Sequence, residues 1–186
     1  ATIAAMTVYN VYRARKAEGA HPPTGQFITV DGVRLHYIER GEGPPVVLLH
    51  GNVVTAEDFD TSGVLNLLAK RHRVIAFDRP GFGYSDRPHG SAWSAGTQAE
   101  LIRDAFAVLG INRPIVLGHS WGGVLAIEYA LAHQQRLKGL VISNMMASIP
   151  AYNRYAEDVI MPRLDRDALA EIKRLEAAGE TDDPSY

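Results

Sequence analysis

The run Gly118-His119-Ser120-Trp121-Gly122-Gly123 constrains the fold of this 186-residue chain more than any other stretch. An apolar, β-rich run at 115–117 leads into it, and Trp121–His133 reads as the helix leading out. Glycines at 118 and 122 lack the Cβ atoms that would hold strand and helix apart. G-x-S-x-G between strand and helix predicts a tight turn with the serine in a strained backbone conformation and its hydroxyl projecting from the sheet. The plainer alternative is a glycine-rich turn that only opens a helix.

The remaining pattern supplies a sheet for that turn. Runs 27–30 and 33–39 are short and β-rich, and Asp31-Gly32 between them predicts a hairpin. Run 46–49 and Arg73–Phe77 are continuously apolar, as strands covered on both faces are. Helices are expected at 61–70, with Val64, Leu65, Leu67 and Leu68 near helical spacing, and at 94–109. The second presents Leu101, Ile102, Ala105, Phe106 and Leu109 on one face, with Gly110 as its stop. A last strand is expected at 137–142. Strands alternating with helices imply an α/β fold, a doubly wound and mostly parallel sheet. Pro- and Gly-rich residues 79–91 form a loop.

Two further runs bear on chemistry. His50-Gly51-Asn52 ends the 46–49 strand, where Gly51 lets the chain turn sharply toward the same crevice. The N–H groups of Trp121, at a helix N-terminus, and of Asn52 are then the candidate donors to a developing oxyanion. For His50, a packing and hydrogen-bonding role is expected ahead of a chemical one. The second run is Asp78-Arg79-Pro80-Gly81-Phe82-Gly83-Tyr84-Ser85-Asp86. Its Gly81-x-Gly83 invites a dinucleotide reading, but Asp86 stands where the third glycine belongs, and the run follows a fourth strand. Asp78 and Arg79 are expected to bond the backbone of their own loop.

Composition narrows the classes. There is no cysteine, so thiol nucleophiles, disulfide scaffolds and cysteine-ligated metals are excluded. A net charge of -2 gives no pull toward nucleic acid. No phosphate loop, zinc-protease helix or calcium loop appears, and no metal site is expected. Residues 1–12 are mostly apolar and are followed by Arg13, Arg15 and Lys16. They read as a short amphipathic helix or as the remnant of a membrane anchor, so membrane association through residues 1–16 stays open beside a cytoplasmic location. Residues 151–186 hold five basic and nine acidic side chains. Asp165 or Asp167 is expected to cap a helix there, ending at Gly179. Tyr152, Tyr155, Met145, Met146 and Met161 either line an apolar pocket or pack a helical layer, the latter being expected.

Taken together, the His50, Asp78 and Gly118 runs resemble the α/β-hydrolase superfamily in order and spacing, over about residues 27–143. The resemblance implies Ser120 as nucleophile, an oxyanion hole from the N–H groups of Trp121 and Asn52, and no cofactor. Residues 139–152 are similar to proline iminopeptidases, where such a run leads into a helical cap. Residues 21–117 look more like haloperoxidase- or lipase-like hydrolases, which suggests mixed lineage or a joined chain. The expected organisation is a helical or anchor-like segment and linker at 1–24, an incomplete hydrolase core at 25–148 and a cap-like segment at 149–186.

In that family an acid and then a histidine follow the nucleophile on later strands. Here no strand is evident after Ser143, and the last histidine is His133. The triad acid and histidine are therefore unassigned. The chain is read first as a fragment of a longer enzyme. The alternatives are strands from a partner chain, a resident substitute base such as His50, or no catalysis at all. The expected activity is that of a serine hydrolase on a small ester or peptide-like amide, an esterase or a proline-iminopeptidase-like enzyme. The alternative is a non-catalytic small-molecule binding protein. An exposed sheet edge would invite self-association.

Overall fold

Asp31 and Gly32 both adopt positive φ, 50° and 77°, as a two-residue hairpin turn of the primed type requires. They join β1 (Gln26–Val30) to β2 (Val33–Arg40) in antiparallel register, as expected from the Asp-Gly pair. The computed structural model describes residues 9, 12, 13, 16, 19–88, 93–145 and 148–178. Contacts divide the chain into two units, Ala1–Met145 and Met146–Tyr186.

The first unit is built on one six-stranded sheet in the order β1-β2-β4-β3-β5-β6. The other strands are β3 (Pro45–Leu49), β4 (Arg73–Phe77), β5 (Ile115–His119) and β6 (Gly139–Ser143). β1, β2 and β4 pair antiparallel, and β4, β3, β5 and β6 run parallel. The apolar runs in β3 and β4 have the cause inferred from sequence, because each strand is buried on both faces. Val47, Leu49, Ile75 and Phe77 face a cluster with Leu101, Ile102, Phe106 and Tyr129. Val46, Leu48, Val74 and Ala76 face a second with Phe59 and Leu65. Each large aliphatic side chain removed from water in this way contributes roughly 1.5–3 kcal/mol.

Helices cover both faces. The single helix expected at 61–70 is instead two short ones, α1 (Glu57–Thr61) and α2 (Val64–Leu68). Gly63 between them sits at φ 79°, a left-handed conformation that no helix continues through. Only Leu65 of the expected α2 face is fully buried, while Val64 and Leu67 are exposed. α3 (Ala95–Val108) starts at Ser94, whose Oγ accepts the Thr97 N–H at 3.1 Å. It ends before Gly110, at φ 62°. α4 (Trp121–His133) follows β5 directly. β6 is the last strand of the sheet. Its outer edge pairs with no described strand, and Leu140, Val141 and Ile142 are 40%, 44% and 38% exposed.

In the second unit, α5 (Ile149–Tyr155) is capped by the Ser148 hydroxyl, which accepts the Ala151 N–H. A π-turn at Ala156–Ile160 and a 3₁₀ turn at Met161–Arg163 follow, then α6 (Arg166–Ala178). The α6 N-terminus is held by Asp165, whose carboxylate accepts the Asp167 N–H at 3.0 Å. The expected stop at Gly179 lies outside the described residues, as do Met146, Ser91 and most of 1–16, including Arg15. Tyr152 and Tyr155 are exposed. Among the described residues, no helix is long and apolar enough to cross a membrane.

Candidate active site

Ser120 sits alone between β5 and α4 with φ 52° and ψ -121°. A serine gains nothing intrinsic from that conformation, which costs of order 1–3 kcal/mol and persists only where its surroundings enforce it. Here the Ser120 N–H donates to the Ser143 carbonyl at 2.9 Å, and the Ser120 carbonyl accepts the Gly123 N–H at 2.8 Å. Glycines make the bend sterically feasible, as their spacing suggests. A methyl on Gly122 would lie 2.1 Å from the Leu49 carbonyl oxygen, and one on Gly118 2.3 Å from that of Gly122.

The end of β3 lies against this bend. Gly51 faces Ser120, and Asn52 follows it. Neither the Asn52 N–H nor the Trp121 N–H donates to any acceptor among the described residues, and the Ser120 hydroxyl is likewise unbonded. Two amide donors and a hydroxyl thus stand at the C-terminal ends of adjacent parallel strands, at the N-terminus of α4, whose dipole favours negative charge.

His50 is buried, and both of its ring nitrogens are engaged. Nε2 accepts the Arg79 N–H at 3.0 Å, so Nδ1 carries the proton and donates to the Gly51 carbonyl at 2.7 Å. Burial pushes its pKa down to about 4, reinforced by the Arg79 charge. A neutral ring whose lone pair is already bonded cannot take the Ser120 proton. His50 is therefore a structural brace at this position, and the substitute-base role is not available to it.

Arg79 bonds its loop as expected, its carbonyl accepting the Phe82 N–H at 2.9 Å. Its side chain also reaches beyond that loop, where Nη2 donates to the Gly51 carbonyl at 2.8 Å and to Asn52 Oδ1 at 2.9 Å. Asp78 does bond that loop, accepting the Tyr84 N–H at 3.0 Å, together with the Ala56 N–H at 2.7 Å and His36 Nδ1 at 2.8 Å. Burial raises the Asp78 pKa, but these hydrogen bonds outweigh it and hold the carboxyl below its ordinary value. Ser85 ties the same loop to β2, its hydroxyl donating to the Asp78 carbonyl and accepting the His36 N–H.

No imidazole is hydrogen-bonded to Ser120 among the described residues. His36 is buried against Asp78, and His72 contacts the Pro44 carbonyl. His133 pairs with Glu100 at 2.8 Å, at the far end of the 13-residue α4, about 18 Å from its start. No group of three or more His, Asp or Glu able to hold a metal ion occurs among the described residues.

The mostly parallel sheet with helices on both faces is the scaffold of a known class, and residues 44–171 match the alpha/beta hydrolase fold family, to which this chain belongs. It is 35% identical over 144 residues to a proline iminopeptidase of Flavobacterium johnsoniae, covering 76% of this chain and 48% of the relative. It is 34% identical over 111 residues to haloalkane dehalogenase 2 of Mycobacterium tuberculosis (strain ATCC 25618 / H37Rv), covering 60% and 38%. The structure of epoxide hydrolase CorEH superposes with a TM-score of 0.64 at 32% identity, covering 68% of this chain and 44% of that one. The chain thus spans about half the length, or less, of the relatives it matches. Their three names describe three different reactions, so the scaffold does not select a substrate.

Proposed function

We propose that this chain carries the nucleophile and oxyanion-binding half of a serine hydrolase acting on a small ester or amide. In this reading Ser120 Oγ attacks the acyl carbon. The carbonyl electron pair moves onto oxygen, where the N–H groups of Trp121 and Asn52 receive it, and the alcohol or amine departs to leave an acyl-enzyme that water hydrolyses. The Oγ proton needs a base, and none of the described imidazoles is bonded to Ser120 to take that role. The observation that carries the proposal is the φ of 52° at Ser120, held beside two amides with no other acceptor.

Replacing Ser120 with Ala tests it, with hydrolysis of an activated short-chain ester as the readout. In serine proteases about 10³–10⁴-fold over water survives the loss of any triad member, from the oxyanion hole and binding alone, so a rate that falls in Ser120→Ala to such a residual level is the expected result. Equal rates in both proteins exclude Ser120. Release of an N-terminal proline is the narrower proposal, supported by the 35% identity to a proline iminopeptidase. A proline naphthylamide assayed beside an acetyl ester separates peptidase from esterase.

A second reading has its own support. No described imidazole is hydrogen-bonded to Ser120, and a hydroxyl without a described base fits a protein that binds a small molecule and does not turn it over. Failure of a fluorophosphonate to label Ser120, with a rise in Tm on adding an apolar ligand, favours that reading.

A further inference from the structure

Arg79 is the only cationic side chain among the described residues that is fully buried, at 1% exposure. Among the described residues it has no carboxylate partner. Its neighbour Asp78 directs its oxygens to His36, Ala56 and Tyr84, and Arg79 Nε has no hydrogen-bond partner among the described residues. Burying an unpaired charge is unfavourable, so what the guanidinium touches must explain it. Its carbon lies 4.1 Å from the centre of the Phe82 ring and 4.3 Å from the centre of the Trp121 ring, a cation held between two π faces. Its Nη2 reaches Gly51 O and Asn52 Oδ1. One side chain therefore contacts both residues whose N–H groups the serine-hydrolase reading assigns to the oxyanion.

We infer that Arg79 is the positioning residue of the oxyanion hole, aiming and strengthening the Asn52 N–H while bracing Trp121. This rests on the serine-hydrolase reading above. The argument is covalent. Gly51 C=O and Asn52 N–H belong to one planar peptide unit and point in opposite directions when it is trans. Fixing the carbonyl fixes the amide. Arg79 Nη2 at 2.8 Å and His50 Nδ1 at 2.7 Å grip that carbonyl from two donors, and the His50 brace is itself tied to the Arg79 N–H. A cation on the carbonyl end also polarises the peptide, which makes its N–H a better donor. The bond to Asn52 Oδ1 restrains the same residue from its side chain. At Trp121 the guanidinium lies against the indole, so the residue that opens α4 is held relative to the Gly51–Asn52 peptide. The uncompensated charge then lies behind the amides, where it favours a negative oxygen in front of them.

The test uses the 186-residue chain with Arg79→Lys and Phe82→Leu, each compared with the parent and with Ser120→Ala. Arg79→Lys keeps the charge but loses the fork and flat face, and Phe82→Leu removes one face of the stack. Two readouts are taken: the ¹H–¹⁵N resonances and exchange rates of the Asn52 and Trp121 amides, and Ser120-dependent hydrolysis of an activated acetyl ester. Both variants shift the two amides and speed their exchange, Phe82→Leu less. Arg79→Lys lowers kcat about ten- to a hundredfold, less than the roughly 10²–10³ of a donor lost outright because the amide is misaimed and not removed, with KM changed less than threefold. Unmoved amides in a folded Arg79→Lys, or a rate loss confined to KM, overturn the inference. If Arg79→Lys does not fold, Phe82→Leu decides by the same criteria. If the parent and Ser120→Ala hydrolyse equally, the serine-hydrolase reading fails by itself, and the amide resonances alone decide whether Arg79 positions the two donors.

Discussion

Gly51 approaches Ser120 so closely that a methyl on it would stand 2.9 Å from Ser120 Cβ and 3.4 Å from Oγ. No rotamer relieves this, because Ser120 Cβ is fixed by a backbone that β5, α4 and the Ser143 carbonyl all hold. Gly51→Ala is expected to push the bend and the β3 loop apart. Overpacking of this kind costs typically 1–3 kcal/mol. Urea denaturation measures that loss, and Ser120-dependent ester hydrolysis is expected to fall by more than stability alone explains.

Gly122 makes a sharper demand. Its missing methyl would meet two backbone oxygens, Leu49 at 2.1 Å and His50 at 2.6 Å. Neither can rotate away, so Gly122→Ala must move the first turn of α4 off β3. A loss of about 3 kcal/mol or more is expected, seen as a lower urea midpoint with unchanged slope. A stability equal to the parent's would mean that α4 and β3 tolerate greater separation than their contacts suggest.

Acid should weaken the fold through His50. Its folded pKa, lowered by burial to about 4, lies below the ordinary 6.5, so the unfolded chain binds the proton first. The stability from the neutral ring is complete above pH 6.5 and is lost as pH falls from there toward 4. The whole step is roughly 3 kcal/mol. Urea titrations at pH 7 and pH 4.5 check it. In His50→Gln, that part of the pH dependence should disappear. Asp78 acts in a lower window, since its depressed pKa retains stability until pH drops below the usual carboxylate range.

The open edge of β6 predicts association. Leu140, Val141 and Ile142 are all partly exposed on a strand whose outer edge pairs with no described strand. Unpaired strand edges bind other chains unless a charge intervenes. Sedimentation across micromolar concentrations should show rising mass for the parent and monomer mass for Val141→Lys. A parent that stays monomeric would contradict this.

Much of this architecture was legible because local chemistry and tertiary structure agree. Asp31-Gly32 gives a hairpin wherever it falls between β-rich runs, Ser94 and Gly110 punctuate α3, and the doubly covered strands are continuously apolar. The helix expected at 61–70 instead breaks at Gly63, because the spacing of Val64, Leu65, Leu67 and Leu68 carries no sign of the left-handed turn just before them. The elbow itself was visible in Gly118-x-Ser120-x-Gly122. What escaped was Arg79, since its partners at Gly51, Asn52 and Trp121 come from two other loops, and no spacing in the sequence signals a contact made only when the β3, β4 and β5 ends converge. His50 was weighed correctly as a bonding residue, but its tie to Arg79 also required the folded chain.

The nucleophile assignment is tested most directly by incubating the chain with a fluorophosphonate and reading intact mass, followed by peptide mapping. A slow, single adduct on the peptide containing Ser120, lost in Ser120→Ala, is the predicted result. An unmodified Ser120 peptide after prolonged exposure, or an adduct that persists in Ser120→Ala, would contradict it.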